Sequence, residues 1–184
     1  MKDIIGVAHG KFQGFHLGHL EYIMASCELC EHLIIGITNP DPDLTKEDIH
    51  DKKRSLPESN PFTYYERYLM IRDSLLERNI PKESFDIVPF PINYPEKLYT
   101  YAPTDAVYYT TVYDYWNRKK VEVLRNLGYE VKVLWERTME DRLTSGSELR
   151  EKIIKGKVWE HLVPKSVERV IKENKLDKRL QGII

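Results

Sequence analysis

The sequence predicts an α/β fold, in which a doubly wound parallel sheet of about five strands is followed by a C-terminal helical segment. Short apolar runs alternate along the chain with longer amphipathic stretches, which is typical of a parallel sheet covered by helices on both faces. The 184 residues, 41% hydrophobic and 31% charged, provide enough apolar material for a core and enough charge for a surface. This length favours one domain over residues 1–184.

The pattern places each element along the chain. Five apolar runs are expected to form the strands, at residues 4–9, 32–38, 85–89, 106–111 and 130–135. Helical patterns fill five longer stretches, at residues 17–30, 64–77, 116–127, 147–155 and 164–175. Thr63 and Glu66 form a capping-box pattern, and Gly128 stands where a helix should end. Residues 147–184 therefore make up the helical segment, and the polar residues 39–60 form either a lid or a solvated insertion without function.

Composition restricts the classes of function. Lys and Arg number 28 against 29 Asp and Glu, a net charge of −1 that gives no general attraction to nucleic acid or to an anionic membrane. No apolar stretch is long enough to cross a membrane, and the start of the chain lacks the apolar region of a signal peptide, so we expect a cytoplasmic protein. Cys27 and Cys30 are too few for a disulfide scaffold, and ordinary packing on a helix face is expected for them.

The strongest candidate site is the segment GKFQGFHLGH, which follows the first strand. In an open α/β sheet, ligands bind at the carboxyl ends of the strands, and the N-terminus of the next helix favours phosphate. Its glycines allow a ligand to approach closely, and Lys11 brings a positive charge. His16 and His19 are three residues apart as the helix begins, so both imidazoles lie on one face. The segment contains no Asp or Glu, which disfavours the competing interpretation as a metal site.

A second candidate segment, TSGSELR, follows the fifth predicted strand and opens a helix. Ser145, Gly146 and Ser147 offer hydroxyls and free amides at the helix N-terminus, and Arg150 lies in its first turn. Arg142, just before the segment, adds a second guanidinium. A serine cap beside a surface arginine is the simpler interpretation. The position after the last strand favours an anion site instead.

Together the two segments resemble the HxGH nucleotidyltransferase superfamily, and in particular archaeal-type nicotinamide-mononucleotide adenylyltransferases and related cytidylyltransferases. The first is similar to G-R-F-Q-P-F-H-x-G-H, with Lys11 in place of Arg and Gly14 in place of Pro. The second is similar to I-S-G-T-x-I-R, and NPFTYYER at residues 60–67 and WEHLVP at 159–164 resemble further family elements. The resemblance implies a Rossmann-like fold and transfer of a nucleoside monophosphate from a nucleoside triphosphate to a small phosphorylated or phosphonate acceptor. Pyrophosphate would leave, and Mg²⁺ would accompany the triphosphate.

The resemblance also implies which residues carry these roles. The catalytic residues would be His16, His19, Lys11 and Arg150. The nucleotide and its phosphates would contact Gly10, Phe12, Gln13, Gly18, Arg142, Ser145, Gly146 and Ser147. The acceptor would contact Asn39, Tyr94, Tyr99, Tyr113 and Trp116, although each of these aromatic side chains is equally compatible with simple packing. No residue is assigned to a metal. Glu66 and Arg67 are expected either to form an ion pair that braces the lid segment or to contact ligand.

The substrates stay open because the departures from the family pattern cluster on the acceptor side. The sequence most resembles a nicotinamide-nucleotide adenylyltransferase, and a cytidylyltransferase acting on a small phosphate or phosphonate is the alternative. A regulatory module that binds nucleotide without catalysis is a third interpretation, which the presence of both histidines and Arg150 disfavours. Relatives often assemble, so a homo-oligomer is a weak expectation.

Overall fold

A computed structural model of the chain describes residues 2–41 and 56–182. Five parallel strands form one sheet: β1 (Asp3–Gly10), β2 (Cys30–Thr38), β3 (Phe85–Phe90), β4 (Val107–Val112) and β5 (Glu130–Glu136). Their order across the sheet is β3-β2-β1-β4-β5. The predicted α/β fold is confirmed, and each predicted strand matches an observed one to within two residues at either end.

The described part of the chain forms six α-helices: α1 (Leu17–Leu29), α2 (Tyr64–Glu77), α3 (Tyr115–Asn126), α4 (Gly146–Ile154), α5 (Lys165–Glu173) and α6 (Leu176–Leu180). At the start of α2, Thr63 Oγ1 accepts a hydrogen bond from the Glu66 amide, and the Glu66 carboxylate accepts one from the Thr63 amide. This is the predicted capping box. Gly128 follows α3 with a φ of 86°, the left-handed conformation that ends a helix.

The sheet is covered on both faces, as its strands require. Successive side chains of a strand point to opposite sides, so Val7 and Ala8 pack into different cores. Ala8 belongs to the larger core, to which α1, α2, α4 and α5 contribute. Val7 belongs to the smaller core, where Leu124 of α3 and Phe90 of β3 meet it. Different helices therefore cover the two faces of the sheet at the end of β1.

The order in which successive strands are added to the sheet reverses at β1, which has β2 on one side and β4 on the other. Ligands of open α/β sheets bind at such a switch point, outside the carboxyl ends of the strands. The turn after β1, the start of α3 and the start of α4 all lie there, because each follows a strand end. Most of the predicted lid, residues 42–55, lies outside the described residues.

Cys27 and Cys30 are both free thiols, the second fully buried. Burial raises the pKa of Cys27 to about 12, and it also raises the pKa of Cys30, so both thiols are protonated and unreactive at neutral pH. This agrees with the expected packing role. Among the described helices, none has the length and apolar character needed to cross a bilayer.

Candidate active site

A cavity of about 530 Å³ opens at the carboxyl ends of β1 and β4. Its walls come from the turn after β1, the first turn of α1, the segment between β4 and α3, and the approach to α4. His16, His19 and Arg150 all line it. The two candidate segments, from opposite ends of the chain, therefore face one cavity.

Close backbone approach joins the two segments. Arg150 Nη1 donates a hydrogen bond to the Gln13 carbonyl at 2.8 Å. A Cβ on Gly146 would lie 2.9 Å from that carbonyl and 3.0 Å from the guanidinium, so α4 can begin here only with glycine. Gly14 has a φ of 65°, and a Cβ there would come within 2.5 Å of Leu149 Cδ2. Proline fixes φ near −65°, so this turn excludes the proline of the family pattern.

The two histidines lock each other at the start of α1. His16 Nδ1 accepts a hydrogen bond from the His19 amide at 3.3 Å, and His19 Nδ1 accepts one from the His16 amide at 3.5 Å. The rings stack with their centroids 3.7 Å apart. Gly18 lies between them, where a Cβ would approach the His16 ring to 3.2 Å. Since each Nδ1 is an acceptor, the proton of each neutral ring lies on Nε2, and that of His19 is directed at the Gly14 carbonyl.

Both imidazoles are neutral at pH 7 in the free protein. Burial lowers the pKa of His16 well below its usual range, and His19, Arg142 and Arg150 lower it further. Burial lowers the pKa of His19 to about 3, although a bond to the Gly14 carbonyl opposes the shift, and the two arginines again add to it. The rings thus lie in a positive field that a bound anion would neutralise.

The charges around the cavity favour a polyanion. Among the described residues that line it, four side chains are cationic: Lys11, Lys120, Arg142 and Arg150. The same described lining residues include one carboxylate, that of Asp114. It caps α3 by accepting a hydrogen bond from the Asn117 amide at 2.8 Å, and it lies 4.0 Å from Arg142. A cavity with such an excess of positive charge attracts phosphates. Within residues 2–41 and 56–182, no cluster of three or more His, Cys, Asp or Glu residues is arranged to hold a metal ion.

The predicted nucleotide-binding residues all line the cavity, and their side chains do different things. Ser145 Oγ caps α4 by accepting a hydrogen bond from the Glu148 amide. Ser147 Oγ accepts a hydrogen bond from Arg150 Nη2. The Arg142 guanidinium lies over the Tyr113 ring, 4.4 Å from its centroid. These groups surround the N-terminus of α4 with donors, which suits an anion.

Two residues of the first segment shape the turn with their side chains. The Gln13 amide group both donates to and accepts from the Phe62 backbone, at 3.0 and 2.9 Å. Phe12 is fully buried with a φ of 50°, and its ring lies edge-on to that of His19, 5.0 Å away. The side chains of Gln13 and Phe12 therefore hold the turn in place, and their backbone atoms are the groups they offer to a ligand.

The predicted acceptor-binding residues are divided. Tyr113 and Trp116 line the cavity, at the start of α3. Asn39, Tyr94 and Tyr99 do not. Asn39 follows β2, and its side chain is hydrogen-bonded to two other asparagines. Tyr94 has a lysine ammonium over its ring, and Tyr99 is 68% exposed on a 3-10 helix.

Sequence reasoning left out several residues of the lining. The main ones are His9, Thr38, Thr111, Asn117, Lys120, Met139 and Leu143. Asn117 and Lys120 follow Trp116 by one and four residues, so helical spacing could have placed Lys120 beside it. Met139 and Leu143 are more than half exposed, which gives the cavity an apolar rim near Arg142. His9 carries no pattern of its own, because it ends a buried strand.

The ion pair expected between Glu66 and Arg67 at the start of α2 is not formed. The Arg67 side chain is almost fully buried, and its guanidinium donates to four backbone carbonyls: those of Lys11, Thr38, Asn39 and Thr63. Burial lowers the pKa of Arg67 to about 10, which keeps it charged at pH 7. Glu66 pairs with Arg179 instead, at 2.7 and 2.8 Å. Arg67 is thus a brace between the turn after β1 and the end of β2.

Comparison with known proteins agrees with this geometry. Residues 7–176 match the family model described as cytidylyltransferase-like. Phosphonoformate cytidylyltransferase from Streptomyces viridochromogenes is 51% identical over 96% of this chain and 95% of its own length. Nicotinamide-nucleotide adenylyltransferase from Thermococcus sibiricus is 31% identical over 96% of this chain and 87% of its own.

Solved structures support the fold. The bifunctional NMN adenylyltransferase/ADP ribose pyrophosphatase from Francisella tularensis superposes with a TM-score of 0.63 at 18% identity, covering 99% of this chain. The chain spans 57% of the length of that protein. A putative nicotinate-nucleotide adenylyltransferase from Vibrio parahaemolyticus gives a TM-score of 0.59 at 13% identity over 97% of this chain and 96% of its own. The match over most of the sequence confirms the resemblance read from the two segments: the chain belongs to the cytidylyltransferase-like family of nucleotidyltransferases.

Proposed function

We propose that this nucleotidyltransferase transfers a cytidylyl group from CTP to the phosphonate of a small acceptor such as phosphonoformate. The observation that carries the proposal is the 51% identity to a phosphonoformate cytidylyltransferase over nearly the full length of both chains. The nicotinamide-nucleotide adenylyltransferases match at about 30%. Of the two alternatives that the sequence left open, the phosphonate cytidylyltransferase is therefore the one we adopt.

The reaction is a single in-line displacement. A phosphonate oxygen attacks the α-phosphorus of CTP, a new P–O bond forms, and the bond to the bridging oxygen of the β-phosphate breaks. The electron pair leaves with pyrophosphate, so no covalent enzyme intermediate is needed. Both reactants are anions, and catalysis consists of positioning them and stabilising the charge that develops on the leaving oxygens.

The residues of the cavity fit these tasks. His16 would donate from Nε2 to a phosphate oxygen without carrying charge of its own, and His19 would do so by exchanging its bond to the Gly14 carbonyl for one to phosphate. Arg150 and Ser147, at the N-terminus of α4, would hold the departing β- and γ-phosphates, and Lys11 would hold them from the opposite turn. Because Arg150 is bonded to the Gln13 carbonyl, both sides of this grip are fixed before the nucleotide binds.

Mg²⁺ would enter with the triphosphate. Magnesium prefers oxygen ligands and keeps several waters, and the Asp114 carboxylate is already engaged as the cap of α3. The triphosphate oxygens are thus its natural ligands, and bound there it would neutralise part of the charge of the leaving group. We assign no protein ligand to it. The cytoplasmic location and a homo-oligomeric state stay predictions.

The test is a matrix of nucleotides and acceptors. The purified chain is assayed for pyrophosphate release with CTP or ATP, each with phosphonoformate or nicotinamide mononucleotide, in the presence of Mg²⁺. We expect CTP with phosphonoformate to give the highest kcat/KM. A higher value for ATP with nicotinamide mononucleotide would assign the chain to the other alternative. No release with any pair would favour a nucleotide-binding module.

A further inference from the structure

The His9 side chain is a buried polar group that the fold leaves unsatisfied. It is 3% exposed at the carboxyl end of β1, and the Phe90 ring stacks on it with centroids 4.7 Å apart. Among the described residues, neither Nδ1 nor Nε2 of His9 has a hydrogen-bond partner. Its backbone amide is satisfied by Tyr22 Oη at 3.1 Å. An unpaired imidazole costs stability, and such groups in folded proteins call for an explanation, such as a functional role or a bound water or ion.

Its position makes a ligand the natural partner. His9 lines the active-site cavity together with Lys120, the cation whose charge acts on it. Burial first, and then Lys120, lower the pKa of His9, so the ring is neutral and offers one donor and one acceptor. Phe90 holds the ring in one plane, because Gly36 leaves space beneath Phe90 where a Cβ would come within 2.6 Å.

Three of the four cationic side chains that line the cavity act on different histidines. Arg142 and Arg150 act on His16 and His19, next to α1 and α4. Lys120 acts on His9, on the face of the sheet that α3 covers. The reaction needs two anions to meet, and Arg142 and Arg150 are proposed to hold the triphosphate. Lys120 acts instead on the unsatisfied His9, on the other face of the sheet, which suits the second anion.

We propose that His9, together with Lys120, binds the acceptor through the anionic group that does not react, which in phosphonoformate is the carboxylate. The inference rests on the proposed function, because that function supplies an acceptor with two anionic ends. His9 donates a hydrogen bond to the carboxylate, and Lys120 neutralises its charge. The phosphonate is then left pointing toward the α-phosphorus at the histidine pair. An acceptor without a second anionic group would gain nothing from His9.

The experiment separates acceptor binding from nucleotide binding. In His9→Phe, which keeps a planar ring against Phe90, we expect the KM for phosphonoformate to rise about tenfold or more, the loss expected for one charge-assisted hydrogen bond. The KM for CTP should stay at the wild-type value. His9→Gln, which keeps a donor, should recover part of the loss. The matched control is His32→Gln, which removes the histidine paired with Asp86 at the opposite end of the sheet and should leave both KM values unchanged.

The Tm of His9→Phe is a second measurement. A ligand-binding role predicts a higher Tm than the wild type, and a purely structural role predicts a lower one. Because His9→Phe removes two unsatisfied nitrogens, we expect its Tm to rise above that of the wild type. A lower Tm with an unaltered acceptor KM would overturn the role of His9 and leave it a packing residue. No turnover of CTP and phosphonoformate by the wild-type chain would overturn the proposed function itself, so the two failures are distinguishable.

Discussion

Replacing Arg67 with methionine tests whether the turn that carries the active site is held by one buried cation. The side chain donates three hydrogen bonds of 2.7–2.8 Å, to the carbonyls of Lys11, Thr38 and Asn39. Bonds from a charged donor contribute about 1.5–3 kcal/mol each, so the three sum to at least about 4.5 kcal/mol. Methionine avoids the cost of burying the guanidinium, which offsets part of this. The net loss expected on removing one side of a buried charged network is about 3–5 kcal/mol.

The assay is urea unfolding followed by circular dichroism. With a slope of about 2 kcal/mol/M, the midpoint of Arg67→Met should fall by roughly 2 M. The control is Arg72→Met on the same helix, whose partly exposed side chain pairs with Asp73 and should change stability by at most about 1 kcal/mol. Arg67→Lys, which keeps the charge but lacks the fork, should fall between them. A midpoint for Arg67→Met equal to that of Arg72→Met would refute the reasoning.

Three further predictions concern the site. His19→Ala should lower kcat by about 10²-fold, the effect of losing one donor to developing charge, with little change in Tm; near-wild-type turnover would remove the assigned role. Gly146→Ala should raise the KM for CTP, because the new methyl group displaces Arg150 from the Gln13 carbonyl; steady-state kinetics against the wild-type chain measures this. The pKa of each buried imidazole, His9 included, is lowered on folding, so the unfolded state binds more protons below pH 6.5. The free energy of unfolding should therefore decrease as the pH falls from 6.5 toward 4.5, and less steeply in His9→Phe.

The sheet, and the two candidate segments that meet at the cavity, could be predicted because their signals are local. Apolar runs identify strands wherever both faces of a sheet are covered, and all five were placed correctly. The capping box at Thr63 and the glycine at position 128 define helix ends through neighbouring residues alone. Likewise, each of the two candidate segments lies between the end of a strand and the start of a helix. Its place in the sequence therefore already puts it at the carboxyl edge of the sheet.

The residues on the acceptor side could not be predicted in the same way. Their positions depend on how elements that are distant in the sequence pack against one another. Tyr99 was predicted to contact the acceptor, but it lies on a 3-10 helix with its side chain exposed, away from the cavity lining. Arg67 follows a glutamate that suggests an ion pair, yet its partners are carbonyls brought near by the fold. His9 is unusual only because none of the described residues hydrogen-bonds to its ring nitrogens, a fact that no sequence contains.

The two faces of the sheet suggest why such a fold can change acceptors while its phosphate chemistry persists. Alternation along β1 sends Ala8 toward α1 and α4, and sends Val7 and His9 toward α3 and Phe90. The groups that we propose to bind the triphosphate are fixed on the first face by close backbone contacts, where substitution is costly. The groups on the second face contact one another through side chains. A substitution there alters the pocket without moving the histidine pair, so acceptor specificity can change one side chain at a time.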